Sequence, residues 1–279
     1  MSIHEQVMLV SVSPKKLTMS KKDKDLSHEE SARHNASEDS FSVSKRLFNS
    51  EAAKALNKIA GEAIVKYRSM TLPYTRGQGM LKATAYLSFM EKMNELRRRY
   101  LDQKERFLDN LDQSINESIK NLGTAYRAED YPTREVLEER LTFDIEVFPM
   151  PAAANWLINL AEEEQEALRK NLEESITKKV EGSRKETVAR LVRLVELMAN
   201  NLSEPDKVFR KSMLSNISEM CDQIPDLNVG DDPDLNHLAK SVKTRLAGYE
   251  AESLRKDPEV RKQAAEEAKK TLETLKEYA

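Results

Sequence analysis

Apolar positions along this chain recur at two different intervals, and the interval changes mark its organisation. Gln6 to Ser13, QVMLVSVS, is a β-rich run that stops at Pro14 and predicts a first strand, with Lys16 to Met19 able to follow it after a turn. Helical spacing takes over at Leu56, Ile59, Ala60, Ala63, Ile64 and Tyr67, in a helix starting near Ser44 or Ser50. Thr71 to Gly79, TLPYTRGQG, stops it, and its proline and two glycines predict a helix-to-helix reversal. Met80 to Leu122 then reads as one long helix closed by Gly123. Its stripe is Tyr86, Met93, Tyr100 and Phe107 at seven-residue steps, followed by Leu111, Ile115, Ile119 and Leu122. Such a stripe needs an antiparallel partner. Ala153 to Leu202 supplies one, with Leu157, Leu160, Leu168, Leu172, Ile176 and Val180 leading to Val188, Leu191, Val195 and Met198; Gly182-Ser183 is a point of kinking.

Between these two helices lies Tyr131 to Trp156, YPTREVLEERLTFDIEVFPMPAAANW, which returns to a two-residue period. Leu141, Phe143, Ile145 and Val147 alternate with polar residues as in a half-buried strand, and the natural partner of that strand is Gln6 to Ser13. An edge of the resulting sheet is open to a partner. Three further helices follow: one after Ser203-Glu-Pro-Asp through Cys221, one from Asp232-Pro233 to Gly248, and one from Asp257-Pro258 with a thin stripe of Val260, Ala264, Ala268, Leu272 and Leu275. That last stripe suits a helix laid on the bundle or paired with another chain. The fold class is therefore mainly α: an elongated helical bundle with a long antiparallel coiled-coil-like hairpin and a small β-sheet. Its divisions are strands in 1–19, a polar flexible segment at 20–44 with Ser27 and Glu30 as a capping box, a hairpin over 45–205 with the strand island at 131–152, and C-terminal helices in 206–279.

Composition agrees with long helices. The 279 residues include 33% charged residues but only 7 Gly and 9 Pro. A net charge of -3 from 45 basic and 48 acidic residues gives no global pull toward nucleic acid or an anionic membrane. Cys221 is the single cysteine, so neither an internal disulfide nor a multi-cysteine zinc site is available, and it reads as a small apolar residue on a helix face near Met220 and Ile224. The run Val7 to Val12 is too short for a signal-peptide core, and no stretch reaches the roughly 20 apolar residues of a membrane span, so a cytoplasmic protein without membrane contact is expected.

The chemistry-bearing residues form no recognised site. His4, His28 and His34 lie in the polar N-terminal region without spaced ligand partners, and His237 sits on a helix face beside Leu235 and Leu238. No G-x-S-x-G, H-E-x-x-H, phosphate-loop or dinucleotide fingerprint occurs. Carboxylate runs such as Glu162 to Glu164 read as solvated helix faces. The residues name no catalytic group, cofactor or metal. The local cluster of interest is Arg97, Arg98, Lys104 and Arg106, the candidate nucleic-acid contacts, though acidic neighbours at helical-pair spacing offer intrahelical ion pairs instead. The candidate partner-binding residues are Tyr131, Phe143, Phe148 and Trp156 of the island.

Three segments carry a resemblance: the opening MSIHEQVMLVSVS; TLPYTRGQGML with Phe89, Leu96 and Tyr100 in the helix after it; and YPTREVLEERLTFDIEVFPMP. Over most of the chain to about residue 205, these resemble the domain of unknown function 3150 family of phage and bacterial proteins. The resemblance brings no catalytic residues. It implies a partner or adaptor of a MoxR- or CobS-like AAA+ ATPase. The expectation is a non-enzymatic phage-type protein acting by protein–protein contact, as a homo-oligomer or an ATPase accessory. The alternatives are a nucleic-acid-binding protein of recombination or host takeover and a hydrolase with an unrecognised carboxylate site.

Overall fold

The computed structural model describes residues 3–151, 162–204 and 207–278. In chain order its elements are α1 (Ile3–Gln6), β1 (Val7–Pro14), β2 (Ser20–Asp23), α2 (Lys24–Arg33), β3 (Val43–Arg46), α3 (Glu51–Met70), β4 (Leu72–Thr75), β5 (Gln78–Lys82), α4 (Tyr86–Asp109) and α5 (Leu111–Leu122). They continue with α6 (Arg134–Arg140), β6 (Phe143–Pro149), α7 (Glu162–Ser203), α8 (Lys211–Leu227), α9 (Pro233–Leu246), α10 (Ser253–Lys256) and α11 (Pro258–Glu277). The protein is mainly α with a minor, antiparallel β component. The chain divides into two compact units, one of Met1–Val10, Arg68–Ser88 and Val147–Ala279, the other of Ser11–Tyr67 and Phe89–Glu146.

In the first unit α7 packs against α8 and α11, and α9 against α8 and α11. Its core includes Val188, Leu191, Val195, Met198, Phe209 and Ile217. Asp232 and Asp257 cap α9 and α11 through their carboxylates, each followed by a proline whose missing N–H costs nothing at a helix start. The thin stripe of α11 is laid on this bundle: Ala264, Ala268 and Leu275 are fully buried, and small alanines let the helices approach closely. Helix α7 runs through Gly182-Ser183 without interruption. Two of its last carbonyls, Asn201 and Leu202, and two in the turn beyond it, Glu204 and Lys207, accept from the Arg261 guanidinium of α11, at 2.8, 3.1, 2.8 and 2.9 Å.

The reversal at Thr71 to Gly79 is a β-hairpin instead of a helix turn. β4 and β5 pair antiparallel, Val7 to Val10 of β1 pair with Lys82 to Gly79, and Gly77 takes the left-handed φ of 84° that the tight reversal requires. The strand order is β4-β5-β1-β6, which leaves Pro73 on an outer strand, where its missing donor is tolerated. Beside β6, as expected, lies β1. Met80 and Leu81, expected to open the long helix, belong to β5 instead, because they pair with Leu9 and Met8 of β1.

The long helix begins later than expected, at Tyr86, and in the second unit it breaks at Asn110, whose side-chain amide donates to the Arg106 carbonyl at 2.8 Å. Met93, Tyr100 and Phe107 are buried, as the seven-residue stripe requires. Beyond the break the buried face belongs to Leu111, Ser114 and Ser118, while Ile119 is exposed. Ser118 faces inward because its hydroxyl donates to the Leu47 carbonyl at 2.5 Å. The helix facing α4 in this unit is α3, antiparallel to it: Gln103 donates to the Ala52 carbonyl, Arg99 pairs with Glu62, and Tyr67 meets the edge of Phe89. Leu157 and Leu160, assigned to a partner stripe for α4, lie outside the described residues.

Residues 20–44, expected as a flexible polar segment, carry β2, α2 and the start of β3. β2 and β3 form an antiparallel ribbon, and Asp23 rather than Ser27 caps α2 by accepting from the Leu26 N–H. Ser27 is buried and donates to the Asp23 carbonyl at 2.5 Å. Composition missed this ordering because it comes from ion pairs that span distant positions.

Candidate partner-binding site

The island Tyr131 to Trp156 begins with a cleft in the second unit, of about 400 Å³, within the range of roughly 300–1,000 Å³ typical of binding pockets. Its floor is apolar: Leu17, Leu47, Phe48, Leu137 and Leu141 line it, each at most 5% exposed. Leu137 comes from α6, Leu141 is the residue that ends it, and two come from the Leu47-Phe48 pair after β3. Phe48 is held by edge-on contacts with Phe107 and Tyr131 at 5.4 Å each. The rim is charged, with Lys16, Lys21 and Arg140 against Glu129 and Asp130.

A buried electrostatic knot backs one side of this cleft. Lys45, 4% exposed at its side chain, reaches Asp23 at 2.9 Å and Asp130 at 2.5 Å, and also donates to the Ala125 carbonyl at 3.2 Å. Lys21, directly opposite Lys45 in the ribbon, takes the other oxygen of Asp130 at 2.5 Å. Two like charges facing across a ribbon repel unless carboxylates intervene, and here two do. The Asp130 hydrogen bond raises the Lys45 ammonium above its ordinary value, against the opposing effect of burial. Hydrogen bonds from Lys45, then the Leu26 N–H, hold the Asp23 carboxyl low. Burial pushes Asp130 upward, but Lys21 and Lys45 together carry it below the ordinary carboxylate value.

The segment Lys15 to Met19, forming one wall, is hydrogen-bonded at alternate residues. Lys15 donates its N–H to the Thr142 carbonyl at 2.8 Å, and its carbonyl accepts from the Tyr100 hydroxyl at 2.7 Å. The side chain of Asn57 takes both backbone groups of Leu17, at 2.8 and 2.9 Å. The Met19 carbonyl accepts from the Leu47 N–H at 2.9 Å.

Of the residues singled out from sequence, Tyr131 supports the cleft from behind, edge-on to Phe48 and tilted against Tyr126. Phe143 is buried against Tyr100 at 5.6 Å, so it is a core residue and offers no contact surface. Phe148 is exposed on β6 in the first unit, next to exposed Val147, and Trp156 lies outside the described residues. Arg97, Arg98 and Arg106 are exposed on α4 with no ion pair among the described residues. Lys104 donates instead to the Glu138 carbonyl at 2.7 Å. The knot of Asp23, Lys45 and Asp130, and the clamp Asn57, carried no local sequence signal, because nothing in a polar residue's neighbours marks a partner tens of positions away.

The chain belongs to the DUF3150 family, proteins of unknown function, whose family model matches residues 5–262. No curated protein and no solved structure matches it. Among the described residues, no helix is long and apolar enough to cross a membrane.

Proposed function

We propose that this protein acts by protein–protein contact, without catalysis of its own, as an assembly or accessory component. The observation that carries this reading is the cleft in the second unit, an apolar floor inside a charged rim, one wall of which comes from the island that carries part of the family resemblance. Its rim brings together no nucleophile with a base to activate it, and its buried charges are consumed by one another, the arrangement of a positioned binding surface more than of an acid–base pair. In this reading the protein is cytoplasmic and phage-type, self-associates, and serves a MoxR- or CobS-like AAA+ ATPase, with Phe148 and Trp156 as further contact residues. Its mass in solution and its co-purification with an AAA+ ATPase of the MoxR or CobS kind test this together. A strict monomer that recruits no ATPase overturns it.

A second reading has one observation in its favour: Arg97 and Arg98 are exposed on α4 and unpaired among the described residues. A nucleic-acid contact there predicts binding that falls steeply with salt and is lost on charge reversal of the two. Absence of binding at low salt removes it.

A further inference from the structure

The hydrogen bonding of Lys15 to Met19 has the period of a strand with one edge used. In an extended chain the N–H and C=O of one residue point to the same side, and those of its neighbours to the other. Backbone groups of Lys15, Leu17 and Met19 are bonded, to Thr142, Tyr100, Asn57 and Leu47. Those of Lys16 and Thr18 take no partner among the described residues, and both residues are exposed and line the cleft. The Asn57 side-chain amide imitates a neighbouring strand on the inner edge. The outer edge is an unfilled ladder position beside an apolar trough.

We infer that this edge and the cleft together receive an extended peptide segment of a partner protein by strand addition, with apolar side chains seated on Leu17, Phe48 and Leu137 and acidic residues flanking them. Main-chain bonds to Lys16 and Thr18 supply affinity, and alternate side chains supply selectivity, the general division of labour in strand-addition binding. Charge complementarity sets the acidic preference. Lys16 and Arg140 pair with no carboxylate among the described residues, whereas Asp130 is already occupied by Lys21 and Lys45, leaving Glu129 as the rim's one uncommitted anion. The inference rests on the protein-contact reading and specifies where and how one contact is made.

The test uses the full chain, immobilised and panned with a display library of random seven-residue peptides. Selected peptides are then labelled with fluorescein and titrated in solution. Selection should enrich apolar residues alternating with aspartate or glutamate. Thr18→Pro removes one open N–H while keeping the preceding residue extended, so it should weaken the selected peptides about tenfold or more. Arg140→Glu, which leaves the open backbone groups in place, should weaken the acidic peptides and spare neutral variants of them; thermal melts confirm that each variant is folded. Peptides that bind Thr18→Pro and Arg140→Glu as well as the parent chain, or a selection that yields none, overturn the inference. Concentration-dependent self-association abolished by Thr18→Pro would make the occupant a second copy and overturn the separate partner. If the ATPase is still captured by both variants, the inference fails while the protein-contact reading stands.

Discussion

The Tyr100 hydroxyl of α4 donates to the Lys15 carbonyl at 2.7 Å, across 85 positions of sequence. One residue thus serves the helix stripe with its ring and the cleft wall with its oxygen. Burial, and then the field of Asp144, push its pKa up to about 12, so the phenol remains a donor throughout the neutral range. Tyr100→Phe should keep the ring contact with Phe143 and cost about 0.5–1.5 kcal/mol, read as a lowered urea midpoint at unchanged m-value.

Asn57 is the second fastening of the same wall. Asn57→Ala removes both bonds to Leu17 and leaves a part-buried N–H and C=O without partners, at a cost of about 1–3 kcal/mol. Amide hydrogen exchange at Leu17 should rise selectively. Uniform acceleration across α3 and α4 would instead mean that Asn57 stabilises the whole unit.

The Lys45 knot predicts a stability plateau with two edges. Asp23 and Asp130 bind protons less readily folded than unfolded, so their contribution is complete above the ordinary carboxylate value of 3.8 and is lost as pH falls through their lower folded values. Lys45 holds its proton more tightly folded, so its contribution is complete below the ordinary 10.5 and is lost as pH rises through its higher folded value. Melting temperature measured against pH should therefore drop at the acid edge in the parent chain. Lys45→Met, which strands the buried Asp23 carboxylate and leaves Asp130 to Lys21 alone, should cost about 3–5 kcal/mol near neutrality, and lowering the pH should narrow that deficit.

Arg261 should resist conservative replacement. Its planar fork reaches four carbonyls near the end of α7, and a lysine ammonium cannot span them. Arg261→Lys should destabilise the chain by about 1.5–3 kcal/mol in chemical denaturation. A variant within error of the parent would mean that these carbonyls are as well served by water.

Cys221 is buried on α8, and its thiol is pushed up to about 11 by burial, then by Asp222. With so little thiolate at pH 8, a disulfide reagent should label it slowly in the folded chain and fully after denaturation. Fast native labelling would reveal local opening of α8.

How much of this was legible depended on the range of the interaction. The stripe Met93, Tyr100 and Phe107 could be read because burial along a helix leaves a period in the chain itself. The caps Asp232-Pro233 and Asp257-Pro258 could be read because capping is settled within three residues. The hairpin at Thr71 to Gly79 could not: proline and glycine announce a reversal, and whether helices or strands flank it was decided by β1 lying alongside. Ser114 and Ser118 displaced Ile119 from the buried face because a carbonyl of Leu47 approached there, a fact absent from the period of α5.

The sequence by itself determined the helical class, the caps, the family and the presence of an irregular island, all of which follow from local propensity and periodic burial. Tertiary structure alone decided that α3 faces α4, that residues 20–46 order around Lys45, and that Lys16 and Thr18 keep an open edge. Those outcomes depend on single polar partners brought together by chain closure, and a hydrogen bond between distant residues leaves no period for a sequence to display.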